Sequence, residues 1–297
     1  MWFKNLKIYR LSPQHKLSAQ YLDLALSEAR FRVCGSQESQ ISGWIEPREG
    51  FPLVYQQSSQ MLIQLRTERR LLPASVINQA ARELARLIEE NQGYRPGRKQ
   101  MKEIKERVTM ELLPKAFTVQ RDTRVWIDTK NGWFVIDASA AAQSDEVLGL
   151  LAKTLSPFLI VPLHVEMSPG AAMTQWLAED EAPACFTIDQ DTQLQSTGES
   201  RASVRYQRQT VDVDEARRHI QAGKQCTRLA MTWNDRVSFV LTENLDIKRV
   251  VPLDALKERQ DAQAANEAEQ FEADFALMSG ELARLLDDLV AALGGMR

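Results

Sequence analysis

The residues that could perform acid–base, metal or nucleophilic chemistry are few and scattered in this sequence. Three histidines and three cysteines lie far apart along the chain: His15, His164, His219, Cys34, Cys185 and Cys226. No two of them stand at a metal-ligand spacing, and no C-x-x-C pair occurs, so neither a zinc site nor a disulfide framework is expected. Nucleophile-elbow, Walker and dinucleotide-binding motifs are absent. The sequence therefore predicts no catalytic residue, no metal and no cofactor.

Two aspartates leave one enzymatic alternative open. Asp128 and Asp137 come near the ends of two predicted strands, RVWID and WFVID. A two-metal nuclease needs acids that converge from several strand ends. The same hairpin equally accommodates both aspartates as simple edge residues. A metal-dependent nuclease that uses Asp128 or Asp137 is therefore kept as an alternative to a protein that is not an enzyme.

Charge is segregated along the chain, although the formal net charge is only −3. Residues 94–124 contain nine bases and four acids, and residues 201–228 contain seven bases and three acids. Residues 254–288 contain three bases and ten acids. This pattern is typical of a positive surface for a polyanion with acid kept elsewhere for solubility, or of ordinary solvated helix faces.

Two amphipathic helices are predicted to form a helical hairpin. Apolar residues recur at helical spacing from Ser75 to Asn91 and from Arg98 to Leu113. Glycine and proline between Asn91 and Gly97 interrupt the pattern, and Pro114 ends the second helix. We expect an arm with a basic, glycine-rich tip that projects from the body of the protein.

Most other elements are predicted to be short strands joined by hairpins. Asn131-Gly132 between RVWID and WFVID is a strong hairpin signal. A second hairpin is predicted from residues 225–232 and 237–241, with a third strand at 246–251. Cys185–Leu194 is predicted to be a hairpin, and residues 41–55 are expected to be irregular.

The basic segment Ala202–Thr210 is predicted to be a strand with two different faces. Alternation puts Val204, Tyr206 and Arg208 on one face. The other face then carries three polar residues: Arg205, Gln207 and Gln209.

The fold class that these elements favour is α+β with antiparallel sheets. We divide the chain into an N-terminal α+β part of the body (1–72), the helical hairpin arm (73–117), a β-rich central body (118–250) and C-terminal helices that pack on the body (251–297). No run of about 18 apolar residues is present, so no membrane-spanning helix is expected. The N-terminus lacks the features of a signal peptide, which favours a cytoplasmic protein.

A series of short segments, in one order over nearly the whole chain, carries a family resemblance. The N-terminal segments are Trp2–Leu6, Tyr9–Leu11, Cys34–Gln37 and Gly43-Trp44. The later segments are Leu112–Phe117, Trp126–Thr129 with Asn131-Gly132, Val161–Leu163, Ala222–Lys224, Leu229-Ala230 with Trp233, Phe271–Phe275, Leu277-Met278 and Gly280–Leu282. In their common order they resemble RdgC, a family of bacterial recombination-associated proteins.

The resemblance implies a head-to-head homodimer that closes through two contact regions into a ring, with a central hole that admits duplex DNA. It implies sequence-independent binding to double- and single-stranded DNA, and antagonism of RecA by competition for DNA. Association with the nucleoid is also implied. The resemblance puts Phe117 in a dimer contact, and Arg208 and Gln209 at DNA-facing positions. For Phe117, the alternative is a core aromatic residue that opens a strand at 117–120.

A ring needs basic residues only along its inner wall, so a net charge of −3 is no obstacle. Binding without sequence readout depends on Lys and Arg near phosphates and not on contacts to base edges. The candidates for this wall are Arg95, Arg98, Lys99, Lys102, Arg205, Arg208 and Gln209. A scaffold that binds an acidic protein through the basic arm is kept as a further alternative.

Overall fold

A computed structural model describes residues 2–12, 17–158, 160–198, 201–254, 256 and 266–297. His15 and part of the predicted C-terminal helical region lie outside the described residues. No helix in the described ranges is long and apolar enough to cross a membrane.

Twelve strands of the described chain form one antiparallel sheet, in which the order of the strands differs from their order along the chain. The strands are β1 (Asn5–Leu11), β2 (Gln40–Ile45), β3 (Tyr55–Gln57), β4 (Gln60–Arg70), β5 (Thr118–Asp128), β6 (Trp133–Asp137), β7 (Ile160–Pro162), β8 (Phe186–Ser196), β9 (Ser203–Tyr206), β10 (Lys224–Trp233), β11 (Val237–Thr242) and β12 (Ile247–Pro252). Their order is β2-β4-β5-β6-β1-β12-β11-β10-β8-β9, with β3 paired to β4 and β7 paired to β1.

Helices lie between and after these strands. They are α1 (Ala19–Ser27), α2 (Ala74–Gln92), α3 (Arg98–Leu112), α4 (Ala141–Thr154), α5 (Pro169–Glu179), α6 (Val213–Gln221) and α7 (Glu267–Ala292), with a short 3-10 turn at Leu113–Lys115. The predicted α+β class and antiparallel pairing are therefore confirmed. The two helices predicted from apolar periodicity, α2 and α3, begin and end within one residue of their expected bounds.

Three hydrophobic clusters hold the described residues together. The largest packs α5, α6 and α7 against one side of the sheet, and its members include Trp126, Trp133, Leu229, Phe239 and Phe275. A second cluster packs α1 and α4 against the other side of β2, β4, β5 and β6. The third cluster joins α2 to α3 through Ala81, Ala85, Ile104 and Val108.

One side of strands β8–β12 contributes no side chain to these clusters of the described residues. Along β8–β12, the side chains that alternate with the large cluster include Gln193, Arg205, Arg228, Thr232 and Ser238. We call this side of β8–β12 the open face. None of the three clusters of the described residues includes a side chain from the open face.

Acidic residues of helix α7 contact two strands, β6 and β10, that are not neighbours in the sheet. The indole N–H of Trp133 in β6 donates to Asp287 at 3.1 Å, and that of Trp233 in β10 donates to Asp288 at 2.7 Å. Glu281 is almost fully buried and forms ion pairs with Arg236 and Arg284. The acidic C-terminal segment therefore uses part of its charge in packing.

Two predictions needed correction. The irregular segment predicted at 41–55 is right only for residues 46–54, because Gln40–Ile45 forms β2 along its whole length with Arg69–Gln64 of β4. Cys185–Leu194 is not a hairpin, because β8 runs from Phe186 to Ser196 as one strand beside β10. Its polar middle is an irregularity in the pairing with β10 and not a turn, since the register shifts between Leu229 and Met231.

At Gly43 in β2, a neighbouring segment of backbone packs closely against the edge of the sheet. A Cβ at this position would lie 2.4 Å from the Cα of Phe31, because residues 29–31 bond to Trp44 on the outer side of β2. We expect Gly43→Ala to lower the free energy of unfolding by about 2 kcal/mol through backbone overpacking. Denaturant unfolding at a fixed protein concentration measures this change.

Gly149 in α4 is the matched control. A Cβ there meets nothing within 4 Å, so Gly149→Ala should raise the free energy of unfolding by about 0.5–1 kcal/mol through helix propensity. An unchanged or higher stability of Gly43→Ala would contradict the close approach of residues 29–31 to β2.

Candidate functional site

Arginine side chains from separate strands gather on the open face. Arg205 of β9 lies opposite Gln193 of β8, which lies opposite Arg228 of β10. Two strand spacings of about 4.8 Å therefore separate the backbones of Arg205 and Arg228. Arg249 of β12 lines the same shallow cleft as Arg205 and Arg228. We call these three residues the arginine cluster, together with Arg208, whose backbone N–H reaches the same place.

Asp191 of β8 lies within the arginine cluster and connects two of its members. Its Oδ2 is 2.9 Å from Nη1 of Arg249, and its Oδ1 accepts the backbone N–H of Arg208 at 2.9 Å. The hydrogen bond from the Arg208 N–H, followed by that from Arg249 and the nearby positive charge of Arg205, holds the pKa of Asp191 below its usual range. Three guanidinium groups line the cleft beside this one carboxylate, which leaves a surplus of two positive charges there.

The predicted alternation from 202 to 210 is only partly right. Strand β9 ends at Tyr206, and Val204 and Tyr206 pack toward the large cluster while Arg205 is exposed on the other side. Arg208 is not on the face of Val204 and Tyr206. Its φ of +52° lies in the left-handed region, so the chain turns after β9 and the alternation stops. Gln209 follows this turn, and its N–H donates to the Gln190 carbonyl at 3.4 Å.

The four basic residues predicted at the tip lie on α3 or just before it. Arg95 is 3.1 Å from Glu89, and Lys102 is 3.7 Å from Glu106, so two of these charges are paired locally. Arg98 and Lys99 occupy the first turn of α3, where they add to the positive end of the helix dipole. Among the described contacts, no hydrogen bond or ion pair of these four residues reaches the open face.

Phe117 lies on the surface of the chain. Its side chain is 85% exposed, which rules out the alternative of a core aromatic residue. Its carbonyl accepts the N–H of Leu71 at 2.7 Å, and Leu71 and Val119 are also about half exposed. These three residues form an apolar surface, the Phe117 surface, at the start of β5 and the end of β4.

The two candidate nuclease aspartates accept hydrogen bonds from backbone N–H groups. Asp128 is fully buried and accepts from the N–H groups of Lys130 and Asn131 and from the Asn131 side chain, at 2.7–3.0 Å. Asp137 accepts from the N–H groups of Lys4 and Asn5, and desolvation by burial raises its pKa. No group of three or more His, Cys, Asp or Glu within the described ranges could hold a metal ion.

Comparisons with known proteins agree on one family. A family model described as "Putative exonuclease, RdgC" matches residues 1–296. The "Recombination-associated protein RdgC" of Bordetella parapertussis is 61% identical over 295 residues, with 99% of each chain covered. Proteins of the same name are 56% identical over 297 residues in Cupriavidus necator, covering 100% of this chain and 99% of that one, and 57% identical over 295 residues in Janthinobacterium sp. strain Marseille, covering 99% and 98%. This chain therefore belongs to the RdgC family.

Proposed function

We propose that this chain binds DNA through its phosphates, without reading sequence, as a dimer closed into a ring around the duplex. The observation that carries the proposal is the arginine cluster on a sheet face that no hydrophobic cluster of the described residues uses. Guanidinium groups donate forked hydrogen bonds that match phosphate oxygens, and their contacts to the DNA backbone carry no sequence information.

The rest of the open face suits a backbone contact. Gln193 stands between Arg205 and Arg228, and side chains of this type donate to phosphate and sugar oxygens. The acids of α7 that hold Trp133 and Trp233 lie on the other side of the sheet. This separation keeps much of the negative charge of the chain away from a DNA polyanion.

The proposed ring accounts for features outside the open face. We infer that α2 and α3 form a projecting arm whose basic residues, Arg95, Arg98, Lys99 and Lys102, face the DNA. The exposed Phe117 surface then meets the same surface of a second copy. A ring of this kind limits the access of RecA to DNA and acts at the nucleoid in the cytoplasm. The word "recombination-associated" in the names of the relatives supports a function at DNA.

Affinity for DNA should be independent of sequence and strongly dependent on salt. We expect two unrelated duplexes to bind with equal affinity in fluorescence anisotropy. The logarithm of the binding constant should fall linearly with the logarithm of salt concentration, by about 0.9 for each phosphate neutralised. Different affinities would reveal base readout. Absence of binding at low salt would favour the alternative of a protein-binding scaffold.

Variants of the arginine cluster test whether residues of the open face cause this salt dependence of DNA binding. Arg205→Gln removes one charge, and Arg208→Asn removes another with a residue that tolerates left-handed backbone. Each should weaken binding to both duplexes equally and reduce the slope by about one per contacting protomer. Arg217→Gln on α6 is the control, because α6 packs on the opposite side of the sheet. An equal effect of Arg217→Gln would argue against the open face.

Phe117→Ala should open one of the two contacts of the ring. Truncation of an apolar anchor costs about 2 kcal/mol in a protein interface, which is about a 30-fold change in a dissociation constant. We expect a lower dimer affinity in sedimentation equilibrium and a shorter half-life on DNA after addition of competitor. The control is Leu24→Ala, which truncates a largely exposed apolar residue elsewhere, on α1. It should change neither the dimer affinity nor the half-life on DNA. Unchanged dimer affinity and unchanged half-life in Phe117→Ala would exclude this surface as a ring contact.

A nuclease is the second candidate, because the description of the family model names an exonuclease. We expect end-labelled linear DNA to remain intact with the protein and Mg²⁺, since Asp128 and Asp137 are engaged by backbone N–H groups. Metal-dependent cleavage that is lost in a folded Asp137→Asn variant would establish the nuclease instead.

A further inference from the structure

The position of Asp191 follows from an irregularity in the sheet. In the pairing of β8 with β10, Thr192 lies opposite Leu229 and Ile188 lies opposite Met231. Three residues of β8 therefore stand opposite Ala230 alone. Extra residues of this kind redirect side chains locally and are frequent beside functional sites. The irregularity brings the carboxylate of Asp191 into the cleft lined by Arg205, Arg228 and Arg249.

The contacts of Asp191 resemble those of a bound phosphate. One oxygen accepts a backbone N–H, and the other accepts a guanidinium N–H, both at 2.9 Å. Arg205 adds positive charge nearby, and these donors and charges lower the pKa of the Asp191 carboxyl, so they favour its ionised form. Two oxygens of a DNA phosphate group would seek the same donors.

The two residues that Asp191 contacts have unusual backbones. Arg208 and Arg249 have φ values of +52° and +53°, a region that residues other than glycine seldom adopt. Such conformations persist where surrounding contacts fix them, and they concentrate at binding sites. Asp191 thus connects the turn after β9 to β12 across the open face, and both connections end within the arginine cluster.

We propose that Asp191 is an internal anion that occupies the arginine cluster and competes with a DNA phosphate for Arg249 and the Arg208 N–H. The proposal rests on the proposed function, since it assigns DNA phosphate to the same face. A phosphate that enters the cluster displaces the carboxylate from Arg249 or shares the guanidinium with it. Asp191 therefore keeps the affinity of the ring for DNA below the value that the cleft would give with Arg249 and the Arg208 N–H free.

Asp191→Asn separates competition from positioning, because the two predict opposite signs. Asparagine retains an Oδ1 that accepts the Arg208 N–H and removes the charge that engages Arg249. If Asp191 competes, one further phosphate contact per protomer becomes available. Affinity for duplex DNA at 0.15 M salt should then rise on the order of fivefold per contact, with a salt slope steeper by about 0.9. If Asp191 instead positions Arg249, affinity and slope should both fall.

Asp189→Asn is the matched control. Asp189 lies two residues earlier on β8 and accepts from the hydroxyl groups of Thr232 and Ser238, at 2.8 and 3.4 Å. Its replacement removes the same charge from the same face without releasing a guanidinium. We expect Asp189→Asn to change the affinity for DNA less than twofold. Equal gains in the two variants would mean a general charge effect and would overturn the proposal.

A double variant tests whether the gain in DNA affinity of Asp191→Asn requires the Arg249 guanidinium. Arg249→Asn removes the guanidinium with a residue that tolerates the left-handed backbone. Adding Asp191→Asn to Arg249→Asn should give no more than the gain seen in the Asp189→Asn control. A full gain without Arg249 would overturn competition for this guanidinium.

The outcomes separate this proposal from the proposed function. A wild-type protein that fails to bind DNA at low salt overturns both. A wild-type protein that binds with the expected salt slope, together with unchanged or weaker binding of Asp191→Asn, overturns only the assignment of Asp191 as a competing anion.

Discussion

The pairing of β1 with β6 on one side and β12 on the other is the constraint on which the rest of the fold depends. Leu6 lies opposite both Asp137 and Ile247, so the first strand of the chain joins segments more than a hundred residues away. This pairing makes one sheet of two halves. The side that α1 and α4 cover over the N-terminal half therefore continues as the open face over the C-terminal half.

Charge follows the same division between the two sides of the sheet. On one side, α7 uses Asp287 and Asp288 to fix Trp133 and Trp233, and Glu281 is buried with Arg236 and Arg284. These acids are structural, so the acidic stretch of the sequence is more than a solvated face. On the other side, bases of β9, β10 and β12 line one cleft of the open face, with Asp191 as their internal counter-charge.

Local patterns predicted the elements whose information is local. Helices α2 and α3 follow from apolar periodicity, and the β5–β6 hairpin follows from the turn chemistry around Asn131-Gly132. The same reasoning misread β8, because a polar stretch around Asp189 and Asp191 resembles a turn. In the sheet it is an irregularity sustained by pairing with β10, a strand more than thirty residues later.

The site shows a sharper limit of sequence reasoning. Arg205 and Arg208 were predicted from a basic segment and a family resemblance, whereas Arg228 and Arg249, which line the same cleft as Arg205, were not predicted. Arg228 is a base within an otherwise largely apolar strand, which is a signal that a strand-by-strand search finds. Nothing local connects it to Arg249, because their meeting depends on register shifts in two different strand pairs.

In the proposed ring, the equilibrium affinity for DNA and the rate of escape from DNA depend on different contacts, whereas on a simple DNA-binding surface both depend on the same contacts. Phosphate contacts set the equilibrium affinity at each position along the duplex, whereas escape from a closed ring requires a protein contact to open. The arginine cluster can therefore be partly neutralised by Asp191 without loss of retention, provided that the Phe117 surface and its partner remain closed. Weak phosphate contacts then favour movement along DNA, and a strong protein contact keeps the ring on it.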